Sequence, residues 1–282
     1  MLFPQTELGS DLGALRAFGQ AASELGYSHL LAYDHVLGAD TAVHGDLGGP
    51  YTITDPFREP LTMFAYLAGC TDLGFATSIL IGPQRQTALL AKQAAEVDIM
   101  CGGRFRLGLG IGWNRVEYEA LGQSFDQRGA MLEEQVEVLR QLWTHDSVTI
   151  RGRFHTITAA GLAPLPPQRP IPIRIGAHAP AALRRVGRLA DGWFPMTRPG
   201  GGLEEALEVI AQGAREAGRD PADIAFEGRV EWATGDLDKI AAHAQRWRVA
   251  GASHLSVNTM AAGLDGVDAH IAAMGTLAGL LL

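Results

Sequence analysis

Four short stretches carry the side chains and bare backbone that could do chemistry in this chain: Asp34-His35, Ser78-Ile79, Gly110-Ile111-Gly112-Trp113 and Gly176-Ala177-His178. A histidine can donate a proton, accept one or hydrogen-bond a ring oxygen near neutral pH, so His35 is the candidate catalytic residue. Asp34 could fix its imidazole or cap a loop; the alternative is a pair that only stabilises a turn. Gly110 and Gly112 remove side chains on either side of Ile111, so a flat ligand could approach the backbone there. Trp113 could wall such a ring or simply cover the next helix. Gly176-Ala177-His178 precedes Pro180. Small residues ahead of a helix, with free N–H groups, make a phosphate cradle to which His178 could add a contact; the other reading is an ordinary turn. Ser78 and Ile79 alone read as core at a strand end. Arg115 and Glu117 read as a solvated helix start, with Glu117 a possible polar contact.

The elements that must position these residues follow from hydrophobic patterning. Apolar runs at 1–5, 29–33, 74–80, 105–110, 171–175, 192–196, 225–231 and 254–257 lack clean polar alternation, which suits strands buried on both faces of a parallel sheet. Helical spacing of apolar residues appears over 11–25, 86–100, 131–143, 237–249 and 267–280. Eight strands followed by helical sequence predict a single-domain (β/α)8 TIM barrel over residues 1–282. An open doubly wound sheet is the alternative, but no glycine-rich dinucleotide fingerprint follows the first strand. Insertions are expected after the second strand (35–58) and before the fifth (144–169), the latter with a small hairpin over 148–157 and a proline-rich connector over 162–170. The four candidate stretches then fall at C-terminal strand ends, where barrels of this kind build their sites.

Composition narrows the partners. At 282 residues, 47% apolar and 19% charged, the chain can bury a large core. A net charge of −8 without a basic run argues against nucleic acid or an anionic membrane, though not against an anionic small ligand. Cys70 and Cys101 lie among apolar neighbours and read as buried thiols. No signal peptide or membrane-length apolar run is recognised, so a cytoplasmic protein is expected. His44, His145, His155, His243 and His270 do not cluster, and no metal is expected.

Four segments together resemble the luciferase-like monooxygenase superfamily: SHLLAYDH (28–35), ATSILIGPQRQTALLAKQAAEVDIMCGGRFRLGLGIGWNRVEYEALG (76–122), IPIRIGAHAPAALRRVGRLADGWFPM (171–196) and GASHLSVNTM (251–260). More narrowly the chain is similar to the branch that uses coenzyme F-420, an 8-hydroxy-5-deazaflavin. The resemblance implies a flavin-like ring at the C-terminal mouth, near Asp34 and His35. It also implies a non-proline cis peptide at Ser78–Ile79 backing the ring, contacts from Gly110, Ile111, Gly112 and Trp113, and phosphate contacts from Gly176, Ala177 and His178. Sugar-phosphate dehydrogenases of that branch carry a glutamate where this chain has Trp113, which cannot do acid–base work. The resemblance therefore implies hydride transfer with a more apolar organic substrate, and often a homodimer. An FMN-dependent monooxygenase is the alternative; a flavin- or deazaflavin-binding protein without turnover is another.

Overall fold

The structure, a computed structural model, describes every residue except 9–10 and 233–235. Its strands are β1 (His29–Ala32), β2 (Gly74–Thr77), β3 (Leu80–Ile81), β4 (Phe105–Gly110), β5 (Val148–Arg151), β6 (Thr156–Ala160), β7 (Ile173–Ala177), β8 (Gly192–Pro195), β9 (Ala225–Glu231) and β10 (His254–Asn258). Seven of them run in the order β1-β2-β4-β7-β8-β9-β10, every pairing parallel. The chain start closes the ring. Leu2 N–H donates to the Val257 carbonyl at 2.9 Å, Phe3 N–H to Leu31 at 2.9 Å, and Leu31 N–H to Met1 at 2.7 Å. The first strand is thus shorter than expected: Pro4 has no N–H to continue a ladder, and Gln5–Leu8 turns into a helix.

Among the described residues, eight helices surround the barrel: Leu12–Glu24, Pro60–Ala68, Thr87–Met100, Arg128–Thr144, Pro180–Leu189, Leu203–Glu216, Leu237–Val249 and Gly266–Leu281. None of the described helices is long and apolar enough to cross a membrane. Pro60–Ala68 escapes periodicity because PLTMFAYLA has almost no polar face; Pro60 at its first position and the Glu59 carboxylate accepting from Thr62 N–H mark its start. The expected hairpin exists as the antiparallel pair β5–β6. Its turn is tied back to the helix Arg128–Thr144, because the Glu134 carboxylate accepts from the N–H groups of Arg153, Phe154 and His155.

Most of the core lies between barrel and helices, with Leu107, Ile173, Val136 and Trp143 buried there. The barrel interior is layered. Leu2, Leu31, Ala76 and Phe194 pack across its middle, with Tyr33, Ile79 and Met260 above. Below them sit polar groups: Glu227 meets Arg174 at 2.8 Å, His29 at 2.9 Å and Arg106 at 3.5 Å.

One irregularity positions the site. The expected third strand, 74–80, is split. Pairing with β4 starts at Phe75↔Phe105 and resumes at Leu80↔Leu109, so the offset falls from 30 to 29 and one extra residue bulges out. The bulge contains Ser78–Ile79, whose peptide bond is cis. Where the ladder breaks, the Thr77 hydroxyl donates to the Gly108 carbonyl at 2.7 Å and accepts from its N–H at 2.9 Å. Position 108 must be glycine, because a Cβ would lie 1.8 Å from the Thr77 carbonyl oxygen.

Candidate active site

The bulge at Ser78–Ile79 turns the Ile79 side chain over the glycines of neighbouring strands. A Cβ at Gly110 would lie 2.4 Å from Ile79 Cδ1, and one at Gly176 would lie 2.9 Å from Ile79 Cγ2. The three residues form a shelf at the C-terminal mouth, with Phe194 and Leu31 beneath it. Beyond the shelf, Gly112 has φ +62°, a left-handed conformation that favours glycine. His178 is exposed just before the helix Pro180–Leu189, whose free N–H groups face the same end of the barrel.

The other wall is held by two buried carboxylates. Asp34, at the end of β1, accepts from Ile81 N–H at 3.0 Å with one oxygen and from Arg85 at 2.8 Å with the other. Burial pushes its carboxyl above the usual value, an effect opposed by Arg85 and the Ile81 N–H. Both oxygens are therefore occupied, and Asp34 locks β1 to β3. Glu117 is 1% exposed. It accepts from the N–H groups of Val36 and Leu37 and from Gln84 at 2.9 Å, and lies 3.7 Å from His35 Nδ1. Burial alone would raise its carboxyl; the contacts from His35, Gln84, Leu37 and Val36 outweigh that and hold it below the ordinary value.

The sequence reading of Glu117 as part of a solvated helix start is thus corrected. Asn114 caps that helix by accepting from Val116 and Glu117 N–H, and Asn114-x-x-Glu117 has the spacing of a capping box. The glutamate instead reaches across to the loop after β1. Arg115 is exposed as expected and pairs with Asp126.

His35 is enclosed by aromatic rings: Phe57 at 4.9 Å, Tyr51 at 5.1 Å and Trp113 at 5.7 Å between centroids, all edge-on. Tyr51 and Phe57 belong to the insertion after β1, which folds back over the mouth. Trp113 packs against that insertion so closely that a Cβ at Gly49 would lie 2.1 Å from its ring. A cavity of about 320 Å³ opens between the arms of the insertion, next to His35. A larger cavity of about 530 Å³ lies at the opposite end, beside His29, Ser253 and His254 at the N-terminal ends of β1 and β10. Size alone would favour it, but it is remote from the strand ends that carry the shelf, His35 and Glu117.

A family model for luciferase-like monooxygenases matches residues 2–272. The chain belongs to the luciferase-like monooxygenase family. An uncharacterized protein of Mycobacterium tuberculosis is 35% identical over 231 residues, covering 78% of this chain and 77% of its own. The F420-dependent hydroxymycolic acid dehydrogenase of the same organism is 29% identical, covering 83% of this chain and 62% of the relative. The FMNH2-dependent dimethylsulfone monooxygenase of Pseudomonas fluorescens is 36% identical, but over 52% of this chain and 40% of the relative. Among solved structures, an F420-dependent secondary alcohol dehydrogenase superposes with a TM-score of 0.79 over 99% of this chain and 96% of its own, at 18% identity. That likeness confirms the TIM-barrel fold.

Within this luciferase-like barrel, the four stretches named from the sequence gather at one mouth, as parallel-strand topology requires. Three residues went unnoticed: Arg85, Tyr51 and Phe57. Arg85, between Asp34 and Glu59, had a weak signal as a lone cation between apolar runs. Tyr51 and Phe57 gave none, because loop folding has no periodicity.

Proposed function

We propose that this protein is an F-420-dependent oxidoreductase that transfers hydride between the deazaflavin and an organic substrate. The observation that carries this reading is the shelf of Ile79 between Gly110 and Gly176, a flat apolar surface at the mouth that any larger residue at either glycine would fill. An F420-dependent relative that aligns with 83% of this chain supports the deazaflavin reading.

The residues present fit the cofactor. Ser78, Ile79, Gly110, Ile111 and Gly112 would carry its ring, Trp113 would wall one side, and Gly176, Ala177 and His178 would take its phosphate through N–H groups and an imidazole. Bound there, the deazaflavin supplies a ring carbon that takes or gives hydride. Asp34 holds the ends of β1 and β3 in register beneath it. Glu117, facing His35 Nδ1, favours the tautomer with the proton on Nδ1. That leaves Nε2 to exchange a proton with the substrate as its oxidation state changes. The aromatic box of Tyr51, Phe57 and Trp113 excludes water from this exchange.

Turnover of the F-420-loaded protein against a panel of alcohols and carbonyl compounds tests this reading, with cofactor absorbance and dissolved oxygen followed together. Cofactor absorbance should change without oxygen uptake, and His35→Ala should lower the rate by about a hundredfold. Oxygen consumed in step with substrate would point instead to a flavin monooxygenase.

A further inference from the structure

The cavity beside His35 is built by the insertion after β1 alone. Its walls are His35, Val36, Leu37 and Gly38 on one arm and Tyr51, Thr52, Ile53, Asp55 and Phe57 on the other. The arms cross where a Cβ at Gly38 would lie 2.2 Å from the Thr52 carbonyl oxygen, and Ile53 N–H donates to Ala39 at 3.2 Å. No wall residue is Lys or Arg, and one is an aspartate. Asp55 uses a single oxygen, Oδ2, to accept from Thr52 N–H at 2.7 Å and from its hydroxyl at 3.1 Å. Its Oδ1, the Tyr51 hydroxyl and His35 Nε2 make no hydrogen bond within the described residues. Burial pushes the Tyr51 phenol up to about 12, so it stays neutral. At the rim Val36, Leu37 and Ile53 expose apolar side chains.

The geometry points to this cavity as the substrate pocket, selecting a small, uncharged molecule with one hydroxyl or carbonyl oxygen and rejecting phosphorylated and carboxylate compounds. The proposal rests on the reading of this mouth as the redox site, since His35 is shared by both. Volume sets the size: about 320 Å³ holds roughly ten heavy atoms at ~30 Å³ for each water-sized unit. Charge sets the sign. An anion would enter a chamber with no Lys or Arg in its wall to pair it and a carboxylate there, whereas a hydroxyl can donate to Asp55 Oδ1 or His35 Nε2. Two cations at this end are already engaged, Arg85 by Asp34 and Glu59 and Arg229 by Glu231, and Arg58, which follows Phe57 and leaves Nε and Nη2 without a partner, is not in the wall.

Benzyl alcohol, benzoate and glucose 6-phosphate probe this directly, with binding to the full chain measured by calorimetry with and without F-420. Benzyl alcohol should bind at least about tenfold more tightly than either anion. Ile53→Lys places a cation on the wall at an exposed position and should reverse the order of benzyl alcohol and benzoate while leaving F-420 affinity within about twofold. Equal or tighter binding of the anions to the native chain, or an order unchanged by Ile53→Lys, would overturn the proposal. If the alcohol preference and its reversal hold but F-420 does not bind, the pocket stands and the redox reading fails. If F-420 binds and the preference is absent, the pocket alone fails.

Discussion

At 1% exposure, Glu117 accepts from two backbone N–H groups and an amide while facing an imidazole, and it keeps its charge because those donors together outweigh burial. Its folded carboxyl titrates below the ordinary 4.5. The stability it confers is therefore full above that value and is lost as pH falls through the lower folded one. Glu117→Gln keeps the shape but removes the charge, so all three donors lose a charge-assisted partner. The expected cost is about 1.5–3 kcal/mol in urea unfolding at pH 7, shrinking as pH falls below 4.5 and through the lowered folded value. A cost that stays constant with pH would mean the carboxylate is not the anchor. Sequence reasoning undervalued this residue because a carboxylate three positions after Asn114 already has a local explanation as a cap. His35 was legible from the opposite circumstance: a histidine ending an apolar run has no local use.

At the scale of elements, two glycines of β4 constrain the barrel differently. Gly108 faces backbone across the broken β2–β4 ladder, whereas Gly110 faces only the end of the Ile79 side chain. Gly108→Ala should cost several kcal/mol, since neither strand can move away without breaking the barrel (about 3 kcal/mol or more by the scale of severe core strain). Gly110→Ala should leave the melting temperature within a few degrees, about 1 kcal/mol, yet weaken cofactor binding at least about tenfold by tipping Ile79 into the mouth. Melting curves and cofactor titration on both variants check the contrast; equal effects on fold and binding would remove the shelf from the account. The run 74–80 announced a strand but not its bulge, because one extra residue leaves apolar composition untouched and appears only in the pairing register. The hairpin β5–β6 was legible because Arg151-Gly152 punctuates it. Pro60–Ala68 was not, because a helix without a polar face has no period to read.

Across the whole molecule, the barrel carries its redox candidates at one end and a buried charge cluster at the other. His29, Arg106, Arg174, Glu227 and His254 each stand alone within or beside apolar runs, and only barrel closure brings them together; nothing in the sequence marks them as partners. Burial pushes His29 and His254 down to about 4, so both are neutral at pH 7. His29 Nε2–H then donates to Glu227, while its Nδ1 accepts from Ser28 Oγ at 2.9 Å. For Glu227, burial opposes ionisation, but His29, Arg106 and Arg174 outweigh it and hold the carboxyl at about 2. Lowered histidine values make the unfolded chain bind protons first, so stability falls as pH drops from 6.5 toward 4; Glu227 adds a further loss from 4.5 toward 2. The melting temperature should begin to fall below about pH 6.5, and His29→Gln should flatten that slope. A melting temperature level between pH 7 and 4 would contradict the cluster.

Titrating the purified chain with F-420 and, separately, with FMN, following cofactor fluorescence, tests whether a deazaflavin binds at the C-terminal mouth. Saturable one-to-one binding of F-420 is expected, tighter than FMN and weakened at least about tenfold in Gly110→Ala. Tighter binding of FMN, or F-420 affinity unaffected by Gly110→Ala, would contradict it.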